Sequence, residues 1–180
     1  MNITWVTRFP TGHEQGRYLT LDMGGTNLRI CEITLSPQPG EYEASQRKYK
    51  LPGHLRSAPG DDLWDFAADC VGSFLHEHHQ GGQCEEKLPL AFAFSYPVEQ
   101  TSIKSGKLQY WTKDFSSPGV EGHDVVLQLE EALDRKVCCF PLVICPWLIG
   151  KKKNKITVES ARHRGLPSQR HHWNPDRIRL

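Results

Sequence analysis

Leu88-Pro89-Leu90-Ala91-Phe92-Ala93-Phe94-Ser95 is apolar at nearly every position, and turn-forming residues bound it. A run of strand length with no polar alternate offers no face to water, so it predicts a central strand covered on both sides. Helices are the usual cover, and the sequence supplies two. From Asp61, residues Leu63, Phe66, Ala67, Cys70, Val71, Phe74, Leu75 and His78 recur at helical spacing, with Asp61 and Asp62 where a helix start favours negative charge. Over 124–136, Val125, Val126, Leu129 and Leu133 give a second helix its apolar face. Earlier in the chain, strands over 18–23 and 28–35 flank Gly24-Gly25-Thr26-Asn27 and form a β-hairpin. The hairpin's imperfect alternation also predicts burial on both faces. After the loop Ser36-Pro37-Gln38-Pro39-Gly40, a third and more polar strand is expected over 42–51. The result is a mixed α/β domain, and 180 residues suffice for one.

Charge divides the chain. Residues 1–136 carry 13 basic and 19 acidic side chains, whereas 137–180 carry 9 and 2, so the overall +1 joins an acidic segment to a basic one. Cys31, Cys70, Cys84, Cys138, Cys139 and Cys145 follow neither an even framework nor a paired C-x-x-C pattern, which predicts a reduced, cytoplasmic setting. The first ten residues lack the charged start and apolar run of a signal peptide. The apolar run 137–149 falls short of the roughly 20 residues that span a bilayer and is broken by Pro141 and Pro146, so no membrane insertion is expected.

In Leu21-Asp22-Met23-Gly24-Gly25-Thr26-Asn27 a strand ends on a carboxylate, and two glycines then let the backbone approach a bulky anion. Thr26 and Asn27 add hydrogen-bonding groups, and Arg29 adds positive charge. These residue types fit a phosphate site at which Asp22 holds Mg2+ through water; an ordinary glycine hairpin with a solvated Asp fits them too. Further on, Ser95 ends the buried strand in Phe94-Ser95-Tyr96-Pro97-Val98-Glu99-Gln100. Thr112 and Lys113 lie in Gln109-Tyr110-Trp111-Thr112-Lys113-Asp114-Phe115, followed by Gly119-Val120-Glu121-Gly122-His123-Asp124. A hydroxyl at a strand end and a Thr-Lys pair in a loop supply hydrogen bonds to a polyol in a cleft.

These motifs, in this order from about residue 5 to 136, resemble the hexokinase family, most closely the fungal hexokinases and glucokinases. The resemblance implies an actin-like ATPase (ribonuclease H-like) fold, with residues 1–136 as part of the small N-terminal domain. It implies transfer of the terminal phosphoryl of MgATP to the 6-hydroxyl of glucose and related hexoses, the entry to glycolysis. Asp22, Gly24, Gly25 and Thr26 match the family's first phosphate motif, and Ser95, Thr112 and Lys113 match its sugar contacts. A closing cleft would align hydroxyl with phosphate and exclude water. Asp114 departs from the glycine usual after Thr-Lys. The family's catalytic base, an Asp in Asn-Asp-Thr-x-Gly-Thr, is not among these residues, nor is the large domain, so the expectation is an inactive chain by itself. A non-catalytic sugar-binding or regulatory fragment is the alternative.

The codons of Gln169-Arg170-His171-His172-Trp173-Asn174-Pro175-Asp176-Arg177-Ile178-Arg179-Leu180, read one nucleotide later, allow Asn-Asp-Thr-Thr-Gly-Thr-Leu-Ile-Ala-Ser-Ala. Val137-Cys138 is encodable as GTNTGY, compatible with an intron start. The hypothesis is that 137 to about 160 translate a retained intron and that the rest of the tail is out of frame. Sequencing the cDNA across the Lys136 codon tests it, and genomic DNA without that intron refutes it.

Other groupings have plainer readings. His76, His78 and His79 suit a helix C-terminus by its dipole rather than a metal. Cys138, Cys139, Cys145, His171 and His172 match no standard zinc spacing, and the frame hypothesis removes both them and a nucleic-acid role for Lys151–Lys155 with Trp173. Trp64, Phe66, Phe92 and Phe94 are expected in the core, Glu121 and His123 in a loop contact at a helix start, and Arg29 in a strand-face ion pair as readily as on phosphate.

Overall fold

A computed structural model describes residues 11–38, 40–79, 88–137 and 142–144. The hairpin forms as its glycine turn predicts: β1 (Gly16–Met23) and β2 (Asn27–Leu35) run antiparallel, with Asp22 opposite Arg29 and Met23 opposite Leu28. β3 (Tyr42–Lys50) extends the sheet on the β2 side, and its polar sequence suits an edge. β4 (Leu88–Phe94) runs parallel to β1, with Leu19 beside Leu90 and Met23 beside Phe94. β5 (Val98–Ser102) and β6 (Ser105–Leu108) make a separate hairpin, and β7 (Leu142–Ile144) pairs parallel with β4. The main sheet therefore has the order β3-β2-β1-β4-β7. Parallel β1 and β4 end side by side, placing the glycine turn next to Ser95.

Helix α1 (Gly60–His78) has no side-chain cap at Pro59, but Asp61 and Asp62 occupy its first turn. Its start abuts the 118–120 segment: Gly60 N donates to Pro118 O at 3.0 Å, and a Cβ on Gly60 would lie 2.6 Å from Val120 Cγ2. The apolar stripe read from the sequence is the buried one, including Leu63, Ala67, Val71 and Phe74. Trp64 meets Phe92 edge-on at 6.3 Å and Phe94 at 5.9 Å, which seats α1 on β4. Helix α2 (Val125–Lys136) packs on α1, with Arg135 on Asp65 at 2.6 Å and Gln128 Oε1 accepting from Trp64 Nε1 at 3.0 Å. Arg47 of β3 pairs with Glu77 of α1. Phe66 packs half-buried against the core.

Two expectations need correction. β4 is not buried on both faces: Leu88, Leu90, Phe92 and Phe94 are buried under α1, while Pro89, Ala91 and Ala93 are half-exposed. The hairpin likewise buries Leu19, Leu21, Met23, Leu28 and Ile30 on that side only. The second face of β4 carries small side chains, so the sequence is apolar there without being covered by the described helices. β7 follows Lys136 outside every element the sequence predicts, since three residues show no periodicity for a sequence to reveal. A short 3-10 helix (Gly53–Arg56) and the β5–β6 hairpin were not foreseen either, being short and polar.

Residues 1–10, Cys84, Cys138, Cys139, Cys145 and the basic tail with His171, His172 and Trp173 lie outside the described residues. Among the described residues, no helix is long and apolar enough to cross a membrane. Cys31 and Cys70 are free thiols there, and burial, reinforced by Asp69, pushes the Cys70 thiol up to about 12, leaving it inert near neutrality.

Candidate functional site

The site begins where β1 and β4 end together. Ser95 N donates to Met23 O at 3.1 Å, extending the ladder one residue beyond the strands. The turn closes through Gly24 N to Asn27 O at 3.0 Å, and Leu51 N donates to Thr26 O at 3.0 Å, tying the turn to the end of β3. Asn27 Nδ2 donates to Thr26 Oγ1 at 3.0 Å. The Asp22 carboxylate stands beside the turn with Arg29 Nη1 at 3.6 Å, an exposed cross-strand pair that contributes little stability and is easily opened by a competing anion.

The loop 109–115 approaches from the other side, anchored by aromatic packing. Trp111 stacks on Phe115 at 5.0 Å and meets Tyr96 edge-on at 4.9 Å, while Phe94 lies 4.6 Å from Tyr96. Trp111 Nε1 donates to Ser117 O at 2.9 Å, and Trp111 N donates to Glu121 Oε1 at 2.5 Å. This platform brings Lys113 over the turn: its Nζ donates to Ser95 O at 2.5 Å and lies 4.6 Å from the Tyr96 ring centroid. Tyr96 OH donates to Gly24 O at 3.3 Å, and burial raises its phenol well above the usual range. Ser95 and Thr112 are half-buried, and among the described residues their hydroxyls have no hydrogen-bond partner.

The sequence candidates thus converge. Asp22, Gly24, Gly25, Thr26, Asn27 and Arg29 lie on the hairpin end, and Ser95 and Lys113 meet against it, with Thr112 preceding Lys113 in the loop. Tyr96 was missed; its signal was an aromatic directly after the strand-end serine. Glu121 and His123 make loop contacts as expected, with His123 Nδ1 at 3.0 Å from Glu121 O. Of the three histidines, His78 packs on Phe74 at 4.3 Å and His79 Nε2 reaches Glu32 Oε2 at 2.7 Å. Among the described residues, no three His, Cys, Asp or Glu side chains gather to hold a metal.

Lys113 and Asp114 both adopt left-handed backbone, at φ 61° and 62°. Asp tolerates this region better than most residues, but glycine does so without strain. Asp114→Gly is expected to stabilise the fold by about 0.5–1 kcal/mol, read as a raised urea midpoint with an unchanged slope. A lowered midpoint would show that the aspartate side chain contributes more than its backbone costs.

The family model described as Hexokinase matches residues 1–147. The hexokinase of Emericella nidulans is 48% identical over 136 residues, covering 76% of this chain and 28% of the relative. Hexokinase-2 of Candida albicans is 47% identical over 131 residues, covering 73% and 27%. Among solved structures, a Schistosoma mansoni hexokinase complexed with glucose superposes with a TM-score of 0.73 at 33% identity, over 81% of this chain and 32% of that one. The chain therefore spans about 28% of the length of the fungal relatives it matches.

Proposed function

The chain belongs to the hexokinase family, and from that premise we propose that its protein phosphorylates glucose and related hexoses at the 6-hydroxyl, using MgATP, in the cytoplasm as a step of glycolysis. In this reading residues 1–136 are part of the small domain and the tail beyond them is retained intron and out-of-frame sequence, although the family model runs on to residue 147 and β7 pairs with β4. The observation that carries it is the convergence of Lys113, Ser95 and the glycine turn at the paired ends of β1 and β4. Ligands of parallel α/β sheets bind at such strand ends.

Gly24, Gly25, Thr26 and Asn27 present the turn to the transferred phosphoryl, and Arg29 adds charge once it leaves Asp22. Asp22 stands beside the turn, and among the described residues no three metal-ligating side chains gather, a donor set that fits a magnesium ion brought by the nucleotide and touched through water, not one held by protein alone. Ser95, Thr112 and Lys113 bind the sugar hydroxyls. Lys113, already donating to an uncharged carbonyl oxygen, can exchange that acceptor for a sugar oxygen. No Asn-Asp-Thr-x-Gly-Thr segment occurs in these 180 residues, so deprotonation of the hexose hydroxyl falls to a group outside them. That favours a second reading for these residues by themselves, hexose binding without phosphoryl transfer.

The test is calorimetric titration of the chain with glucose, alongside a coupled assay for ADP release. Saturable binding with no ADP supports the second reading, and binding with ADP release supports catalysis by the chain itself. No binding of glucose, mannose or fructose at millimolar concentration refutes the sugar site.

A further inference from the structure

Lys113 is held from two directions. Its aliphatic stem lies so close to Gly25 that a Cβ there would sit 2.9 Å from the lysine Cδ and 3.2 Å from its Cβ. Gly25 is not among the glycines with positive φ, so what this position requires is the missing side chain, not backbone freedom. On the other side, the Tyr96 ring lies under Nζ, and the same side chain is bonded to the Gly24 carbonyl. Tyr96 is 2% exposed and wedged among Phe94, Trp111 and Phe115, so it has no room to follow the lysine elsewhere. One buried ring and one bare backbone position therefore fix where the ammonium sits relative to both Ser95 and the turn.

We propose that Gly25 and Tyr96 are positioning residues for Lys113, making the anion-binding turn and the hexose contact a single mechanical unit. The proposal rests on the hexose-binding reading above and adds that the turn contributes to sugar affinity without touching sugar. A shift of the turn is transmitted through the lysine stem, and loss of the ring removes the cation–π contact that holds the ammonium in place.

A double-mutant cycle on the full chain tests this, using Gly25→Ala, Lys113→Ala and the pair, each titrated with glucose and unfolded in urea. Gly25→Ala is expected to weaken glucose binding about tenfold on its own and less than about twofold where Lys113 is already alanine. Its urea midpoint falls in the wild-type background and recovers in part when Lys113 is truncated, because the 2.9 Å approach to Cδ is then gone while the 3.2 Å approach to Cβ stays. Tyr96→Phe keeps the ring and holds glucose affinity within about twofold, whereas Tyr96→Leu loses about as much as Gly25→Ala. Equal loss of affinity from Gly25→Ala in both backgrounds overturns the proposal. A wild-type chain that binds no glucose refutes the functional reading instead; the urea cycle needs no ligand, and additive midpoints there overturn the proposed coupling independently.

Discussion

Trp64→Ala is expected to destabilise the domain by about 4 kcal/mol, within the range for emptying a large buried aromatic site. The side chain is 1% exposed and joins three elements: it sits on α1, meets Phe92 and Phe94 of β4, and donates to Gln128 of α2. Truncation opens a cavity under β4 and leaves Gln128 Oε1 without its donor, while Gln128 Nε2 remains tied to Gly119 O at 2.8 Å. Against a total stability of about 5–15 kcal/mol for a domain, such a loss leaves little reserve. Trp64→Phe separates the two contributions: it keeps most of the ring packing, loses the N–H, and is expected to cost about 1–2 kcal/mol. Urea unfolding of the three proteins provides the check, and an Ala variant with an unchanged midpoint would mean that α1 is not seated on β4 through this residue.

The elements that the sequence disclosed are those whose patterns exceed their noise. Nine apolar or small positions of α1 are buried along one stripe, and the hairpin is marked by adjacent glycines, so both were legible to within two residues at each end. β4 was legible as a strand but not in its cover. Ala91 and Ala93 read as core in a hydrophobicity pattern, yet their small size leaves them half-exposed when no helix lies over them. β5 with Val-Glu-Gln-Thr-Ser and β6 with Ser-Gly-Lys-Leu carry too few apolar residues to stand out, and β6 is also bonded to Asp124, sixteen residues from its end.

The candidate site was legible in its residues and not in its geometry. Gly24, Gly25, Ser95 and Lys113 could be named because glycine turns, strand-end hydroxyls and loop lysines each carry a chemical meaning. That Gly25 and Lys113, 88 positions apart, touch follows from the parallel pairing of β1 and β4, whose partners stand 71 positions apart, and from the loop that then carries Lys113 back over the turn. Tyr96 shows the same limit: its ring reads as core, and only three-dimensional packing reveals that its hydroxyl reaches the turn.

Asp124→Ala is expected to cost about 3 kcal/mol, more than an ordinary helix cap, because one carboxylate serves two elements. Asp124 Oδ1 accepts from Val126 N at 2.9 Å and Leu127 N at 3.4 Å, capping α2. The same group accepts from Ser105 Oγ at 2.6 Å and Gly106 N at 3.2 Å, fastening β6 to the helix start. Capping alone contributes about 1 kcal/mol, and stranding two further partly buried donors adds the rest. Asp124→Ser divides these roles: its short hydroxyl restores the cap but does not reach both donors of β6, so it recovers about 1 kcal/mol of the loss. The consequence extends to the loop proposed to contact the hexose. Leu108 N bonds His123 O, Gly122 N bonds Leu108 O, and Gln109 N bonds Pro97 O, so a loosened β6 frees the segment leading into Thr112 and Lys113. Hydrogen exchange at the Gly106 and Leu108 amides is expected to accelerate in Asp124→Ala and in Asp124→Ser alike, with α2 protected only in the latter. Unchanged exchange at Gly106 in both variants would show that the hairpin is held by its own pairing and that Asp124 acts on the helix alone.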